Sequence, residues 1–335
     1  MATIRAFLSR RKRFLIVVFV VLAYVVTSTQ RLSSLSVGMT IIPRSHHSNQ
    51  TAYTTAMSVI PLTYQDPRPF HLRMVICGDS MSRFQYLSLV HFLKFGTWAE
   101  YGSARVEMHN TTRSWNEWFR YTNQQLQPYE QCDCYRNWSG TFLWNQHVEN
   151  RYFADPSHDN YVTFLTKFGG YPSHGRWNVS TIYQNHTMTF EKQPFVWSYG
   201  TWEALIRQYV SQMSPRPQYF VFNSGFWGKH QLNKAAVIRA LRQALEDNNM
   251  IGIYRTTTYR RDENHNLAEF QFHSRRKHDR KVCQWMHYCL NVSWTVDVPE
   301  EEYVDTLHFR ATVNNRMSQQ LLDLVSTIAE TQKKI

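Results

Sequence analysis

Strand-like and helix-like patterns of apolar residues follow one another along much of this chain. Met74–Cys77 is a short unbroken apolar run, the signature of a strand buried on both faces. Met81–Phe95 follows with apolar residues at three- and four-residue spacing, which predicts an amphipathic helix. Trp202–Met213 reads as a helix, Gln218–Phe222 as a strand, Asn233–Asp247 as a helix and Met250–Thr256 as a strand. Ser293–Val298 reads as a last strand, and Ala311–Thr331 as a closing amphipathic helix. Residues 100–195, rich in Trp, Tyr, Asn and turn formers, predict loops with short strands. Strands alternating with helices predict an α/β fold with a mostly parallel sheet and helices on both faces. Ligands of such sheets bind at the carboxyl ends of strands, where Ser80 and Asn223 both fall.

The N-terminus carries a different pattern. Phe14–Val26 is an uninterrupted apolar stretch that Thr27-Ser28-Thr29 extends, preceded by Arg10-Arg11-Lys12-Arg13. At about 1.5 Å per residue it reaches roughly 24 Å as a helix, near the thickness of a thin bilayer. No small-residue cleavage site follows, so an uncleaved signal anchor is favoured over a cleaved signal peptide. The basic flank keeps residues 1–13 cytosolic and turns the rest to the lumen. Residues 30–68, rich in Ser, Thr and His, read as a luminal stem, and His46-His47 within it as solvated residues without partner ligands. The folded part is expected over residues 69–335.

Composition sharpens that compartment. The sequons at Asn49, Asn110, Asn137, Asn178, Asn185 and Asn291 suit a chain exposed to glycosylation. Cys77, inside the first strand, reads as a buried thiol. Cys132, Cys134, Cys283 and Cys289 are then expected to form two disulfides, with crosslinks between the two clusters favoured. Their spacing is poor for structural zinc, and no metal or cofactor is expected. The net charge of +12 admits nucleic acid as a partner, but no nucleic-acid module accompanies it. An anionic polysaccharide or a charged donor suits a luminal basic protein better. Aromatics form 15% of the chain, enough for some to stack on sugars.

The candidate chemistry begins at Gly78-Asp79-Ser80. A strand ending in glycine, followed by a serine that opens a helix, lifts the hydroxyl over the sheet edge beside helix N-terminal N–H groups. A nucleophilic serine needs a base and an orienter for it. Asp305-Thr306-Leu307-His308 supplies both in a D-x-x-H unit between the last predicted strand and the final helix. Asp155/His158 and Asp262/His265 repeat the spacing, but lie in turn-like surroundings and read as surface residues. Asn223 is a candidate oxyanion donor alongside the Ser80 backbone, its alternative being a local turn. Arg83, Trp227 and Arg310 are candidates to line an acceptor or donor site, with core or salt-bridge roles as the alternative.

These islands resemble the SGNH/GDSL hydrolase superfamily. Gly78-Asp79-Ser80-x-x-Arg83 and Val221-Phe222-Asn223-Ser224-Gly225-x-Trp227 are similar to signatures of its PC-esterase group, which includes the trichome-birefringence-like polysaccharide O-acetyltransferases. The resemblance implies a three-layer α/β fold, a Ser80/His308/Asp305 triad and an acyl-serine intermediate that passes its acetyl group to a sugar hydroxyl. It also implies a Golgi (or ER) type II membrane protein with a glycan acceptor and an acyl donor. An acetyl-CoA-derived group is one candidate for that donor. Val304–Phe309 lacks the tryptophan- and cysteine-bearing context common in the plant proteins, and no glycine block is evident between the first two islands. An esterase of the same fold, an inactive membrane-anchored carbohydrate-binding protein, and a glycosyltransferase lacking a convincing D-x-D motif are the alternatives weighed.

Overall fold

A computed structural model describes residues 66–98, 129–134, 149–175, 197–227, 231–261 and 265–333. The expected anchor at 14–29, the luminal stem up to residue 65, and all the sequons except Asn291 lie outside the described residues. Among the described residues no helix is long and apolar enough to cross a membrane.

The strands β1 (Arg73–Gly78), β2 (Glu130–Cys134), β3 (Glu149–Asp155), β4 (Asn160–Thr166), β7 (Tyr219–Phe222), β8 (Ile251–Arg255) and β9 (Tyr288–Leu290) form one sheet in the order β2-β3-β4-β1-β7-β8-β9. From β4 to β9 all neighbours run parallel, whereas β3 is antiparallel to β4, and β2 to β3. The fold is therefore α/β with a mostly parallel central sheet, as expected. A small antiparallel pair, β5 (Ser173–Gly175) and β6 (Trp197–Tyr199), stands apart from it.

The twofold alternation of strand side chains divides the interior into two cores. Met74, Ile76, Val221 and Ile253 face one core with helices α1 (Ser80–Phe95) and α5 (Ala311–Gln332). Val75, Cys77, Phe220, Phe222 and Tyr254 face the other, with α2 (Trp202–Gln208) and α3 (Ala235–Glu246). Burial on both faces explains why β1, β7 and β8 are nearly continuous apolar runs. Helix α4 (His265–Cys283) contributes Val282 to the second core.

Three expectations need correction. Ser293–Asp297 is a 3-10 helix, not a strand. Thr295 donates its N–H and its hydroxyl to Val292 O there, and the edge strand is the three-residue β9 instead. The helix expected over 202–213 stops at Gln208 and continues as a 3-10 turn over Val210–Gln212. Cys283 bonds to Cys289, six residues away and 5.3 Å between Cα atoms, so these two do not crosslink to the central segment. The bond ties the end of α4 to β9. The side chains of Cys132 and Cys134 lie outside the described residues. Cys77 is the buried free thiol that its strand position predicts.

Candidate active site

Ser80 owes its position to the turn between β1 and α1. Asp79 caps α1, its Oδ1 accepting from Met81 N at 3.1 Å, and this satisfies one of the helix's orphan donors. The Ser80 N–H, at the first helical position, has no partner among the described residues and faces the end where helix dipoles favour negative charge. Gly78 is required by packing: a Cβ there would stand 2.3 Å from Ser82 Oγ.

The base arrives from the far end of the chain. Tyr303 and Phe309 form an antiparallel bridge, both are buried in the first core, and their ring centroids are 4.6 Å apart. Val304 N donates to His308 O at 2.8 Å, closing a tight loop that carries Asp305 and His308. Polar bonds between α1 and α5 then hold this loop over Ser80. Gln85 Nε2 donates to Met317 O at 3.2 Å, Ser318 Oγ to Gln85 O at 3.0 Å, and Ser88 Oγ to Asn315 Oδ1 at 2.7 Å.

The result is a continuous hydrogen-bonded array. His308 Nε2 lies 2.8 Å from Ser80 Oγ, and His308 Nδ1 lies 2.8 Å from Asp305 Oδ2. Asp305 Oδ1 accepts from the N–H groups of Leu307 and His308, both at 2.7 Å. Burial of the Asp305 carboxyl opposes its ionisation. Hydrogen bonding to the His308 ring, its charge, and the two backbone N–H groups outweigh that, holding the carboxyl well below the usual carboxylate range. The Phe84 ring packs 5.2 Å from the His308 ring. A carboxylate on Nδ1 fixes the tautomer that leaves Nε2 free to take the serine proton.

Asn223 follows β7 at the same sheet edge. Its Nδ2 donates to Arg255 O at 2.7 Å, and its Oδ1 accepts from Gly225 N, the local turn weighed as its alternative role. The amide thus braces β7 against the end of β8. Gly225 is left-handed, with φ of +64°, and a Cβ there would stand 2.1 Å from Asp79 Oδ2. Trp227, 45% exposed, closes this loop with its ring edge against Phe168 at 4.6 Å. Arg83 lies inside the fold, 1% exposed, with its guanidinium 5.3 Å from the Phe84 centroid. Its place is a packed interior rather than an open substrate wall. Arg310 is the N-cap of α5, with Nε donating to Glu301 O at 2.7 Å.

The competing D-x-x-H pair corrects an expectation. Asp155 and His158 are buried, not surface residues, and pair at 2.7 Å. They occupy the β3–β4 turn, where His158 O accepts from His71 N just before β1 begins. That is the opposite edge of the sheet from Ser80. Asp262 and the His265 side chain lie outside the described residues.

Some residues beside the site carry no sequence signal. Arg255, buried at the end of β8, donates to Ser82 Oγ at 3.1 Å beneath the nucleophile turn and feels the charge of Asp79. Lys167 ends the adjoining β4 register. Its N–H bonds to Gly78 O, and its Nζ donates to Tyr171 O at 2.8 Å and Gly200 O at 3.1 Å. Among the described residues no cluster of His, Cys, Asp or Glu has the makings of a metal centre.

Fold and site together define an α/β protein with a Ser–His–Asp array over the carboxyl edge of a mostly parallel sheet. No family model and no curated protein matches the chain.

Proposed function

We propose that this protein is a serine-nucleophile acyltransferase of the secretory pathway that moves acyl groups, most simply acetyl, onto glycan hydroxyls. The observation that carries the reading is the pair of 2.8 Å contacts linking Ser80 Oγ, His308 and Asp305. In this reading the fold is a three-layer sandwich of the SGNH/PC-esterase kind that the sequence islands resemble.

Ser80 Oγ attacks the acyl carbonyl while His308 Nε2 takes its proton. The negative charge on the carbonyl oxygen is met by the Ser80 N–H at the start of α1. Collapse expels the donor's leaving group, which takes the proton back from His308 and leaves an acyl ester on Ser80. A sugar hydroxyl then gives its proton to His308 and attacks that ester, and His308 returns the proton to the departing Ser80 Oγ as the acyl–serine bond breaks. Asp305 holds the imidazole and stabilises its charged form throughout. The basic flank of residues 14–29 supports a type II anchor in the Golgi or ER membrane. The exposed sequon at Asn291 and the Cys283–Cys289 bond suit a luminal domain.

The test is acyl trapping. Protein incubated with a small activated acetyl ester should gain one acetyl group by intact-mass spectrometry, and the Ser80→Ala variant should gain none. A folded protein that neither traps acetyl nor turns over the ester would sink the reading. Decay of the trapped ester accelerated by added glycans would mark transfer, and decay indifferent to them would mark hydrolysis.

A further inference from the structure

A second concave site adjoins the nucleophile turn. A cavity of about 560 Å³ is lined by Phe226, Arg260, Gln271, Ser274, Arg275 and His278, among others. It draws on the loop after β7, the chain after β8, and one side of α4. Two guanidinium groups, the amides of Gln271 and Asn233, a hydroxyl and an imidazole line it, and no carboxylate does among the described residues. Arg276, Lys277 and Arg280, all exposed on α4, add to the positive field.

Arg275 ties this cavity to the acyl site. Its Nη2 donates to Phe226 O at 3.0 Å and its Nη1 to Gly225 O at 3.4 Å. Gly225 in turn abuts the carboxylate of Asp79, the residue before Ser80. The carboxylates that act on Arg275 are Asp279 and Asp79, both buried and both already hydrogen-bonded, and the buried Tyr254 phenol acts beside them. Asp279 accepts from Tyr254 Oη at 2.6 Å and from Thr257 N at 2.8 Å, and Asp79 from Met81 N. His278 Nε2 lies 3.4 Å from Ser224 Oγ, a second contact between the cavity wall and the Asn223–Gly225 turn. Burial lowers the Arg275 pKa from its ordinary value, a cost that an anion in the cavity offsets.

We infer that this cavity is the anion subsite of the same active centre, holding a carboxylate, sulfate or phosphate group of the substrate while its reacting group, an acceptor hydroxyl or a donor acyl carbonyl, sits at Ser80. The inference rests on the acyl-transfer reading above. Paired guanidinium groups with flanking neutral donors suit the oxygens of such a group, and the volume also admits the sugar or phosphate unit that bears it. Two sources share this chemistry: an acidic sugar of the acceptor glycan, or the phosphates of an acyl donor.

The test is calorimetric binding to the full chain in detergent at low ionic strength, with no acyl donor present. The probes are trigalacturonate, its carboxyl-reduced neutral counterpart, and adenosine diphosphate. At least one anionic probe should bind about tenfold or more tighter than the neutral trisaccharide, as expected for a hydrogen bond to a charged group. The Arg260→Glu and Ser274→Glu variants, both altered at exposed positions, should lose that preference. Preference for trigalacturonate assigns the subsite to the acceptor, and preference for the nucleotide assigns it to the donor; both support the inference. Equal affinity for charged and neutral probes, no binding of either anion, or undiminished preference in both variants overturns it. Binding needs no acylation, so failure here and failure of acyl trapping are separate results.

Discussion

At Asp305 two opposing influences meet on one carboxyl: burial, and the hydrogen bonds from His308 and the loop backbone that prevail over it. Asp305→Asn keeps the shape but presents an amide donor to Nδ1, which favours the imidazole tautomer that cannot accept the Ser80 proton. The acetylation rate of Ser80 should fall about 10³–10⁴-fold, with melting little changed, as read by time-resolved mass spectrometry. Lys167 tests a different balance. Burial lowers its amine to about 8 from an ordinary 10.5, beside a Cys77 thiol that burial pushes up to about 12. Between those two lysine values the unfolded chain holds a proton that the folded protein has released, so the lysine's contribution to stability rises with pH across the window. The contribution is complete above 10.5 and is lost as pH falls through about 8. Urea midpoints should climb in the wild type from about pH 8 to 9, with a visibly shallower slope in Lys167→Met; above 9 the unfolded chain releases the Cys77 proton that the folded protein keeps, and this offsets the rise.

Elements differ in how their ends are made, and two glycines separate the consequences. Gly96 ends α1 in the left-handed region with open space around its Cα, whereas left-handed Gly225 presses on Asp79. Both Gly→Ala changes should cost about 1–3 kcal/mol, because alanine is strained at positive φ. Only Gly225→Ala should also slow Ser80 acetylation, since its methyl displaces the cap of the nucleophile helix. Melting temperature and acetylation rate, measured side by side, check the contrast. Element ends were also where the sequence pattern stopped being readable. Helix α4 escaped it because His265–Cys283 is dominated by His, Arg, Lys and other polar residues, leaving no clear apolar stripe. Strand β9 has only three residues, too few to show alternation, while the neighbouring Ser293–Val298 looked more strand-like than it is.

For the whole molecule, the sheet is a shared wall between two cores that alternate residue by residue along β1. Neither core keeps its boundary if the other is lost. Leu321→Ala in the first core and Leu241→Ala in the second should each cost about 2–5 kcal/mol. Each should also shift a single unfolding transition. Denaturation followed by far-ultraviolet circular dichroism and by tryptophan fluorescence should give coincident curves for both variants. Separate transitions would show that the two faces fold independently.

Local patterning was enough to place Ser80 between a buried strand and an amphipathic helix. There the apolar run, the glycine and the capping Asp79 are near neighbours, and short-range sterics decide the outcome. The same holds for the alternation of strands and helices that marks a mostly parallel sheet. The partnership between Ser80 and His308 joins positions 228 residues apart. Three D-x-x-H units were equivalent in sequence, and the sheet's direction puts one beside Ser80 and Asp155/His158 at the opposite edge. Tertiary structure alone sent Arg83 inside, turned the Asn223 amide towards Arg255, joined Cys283 to Cys289, and gathered Arg260, Arg275 and His278 around one cavity. Each of these outcomes depends on which surfaces meet, and such contacts are set by packing between elements rather than by the period of any one of them.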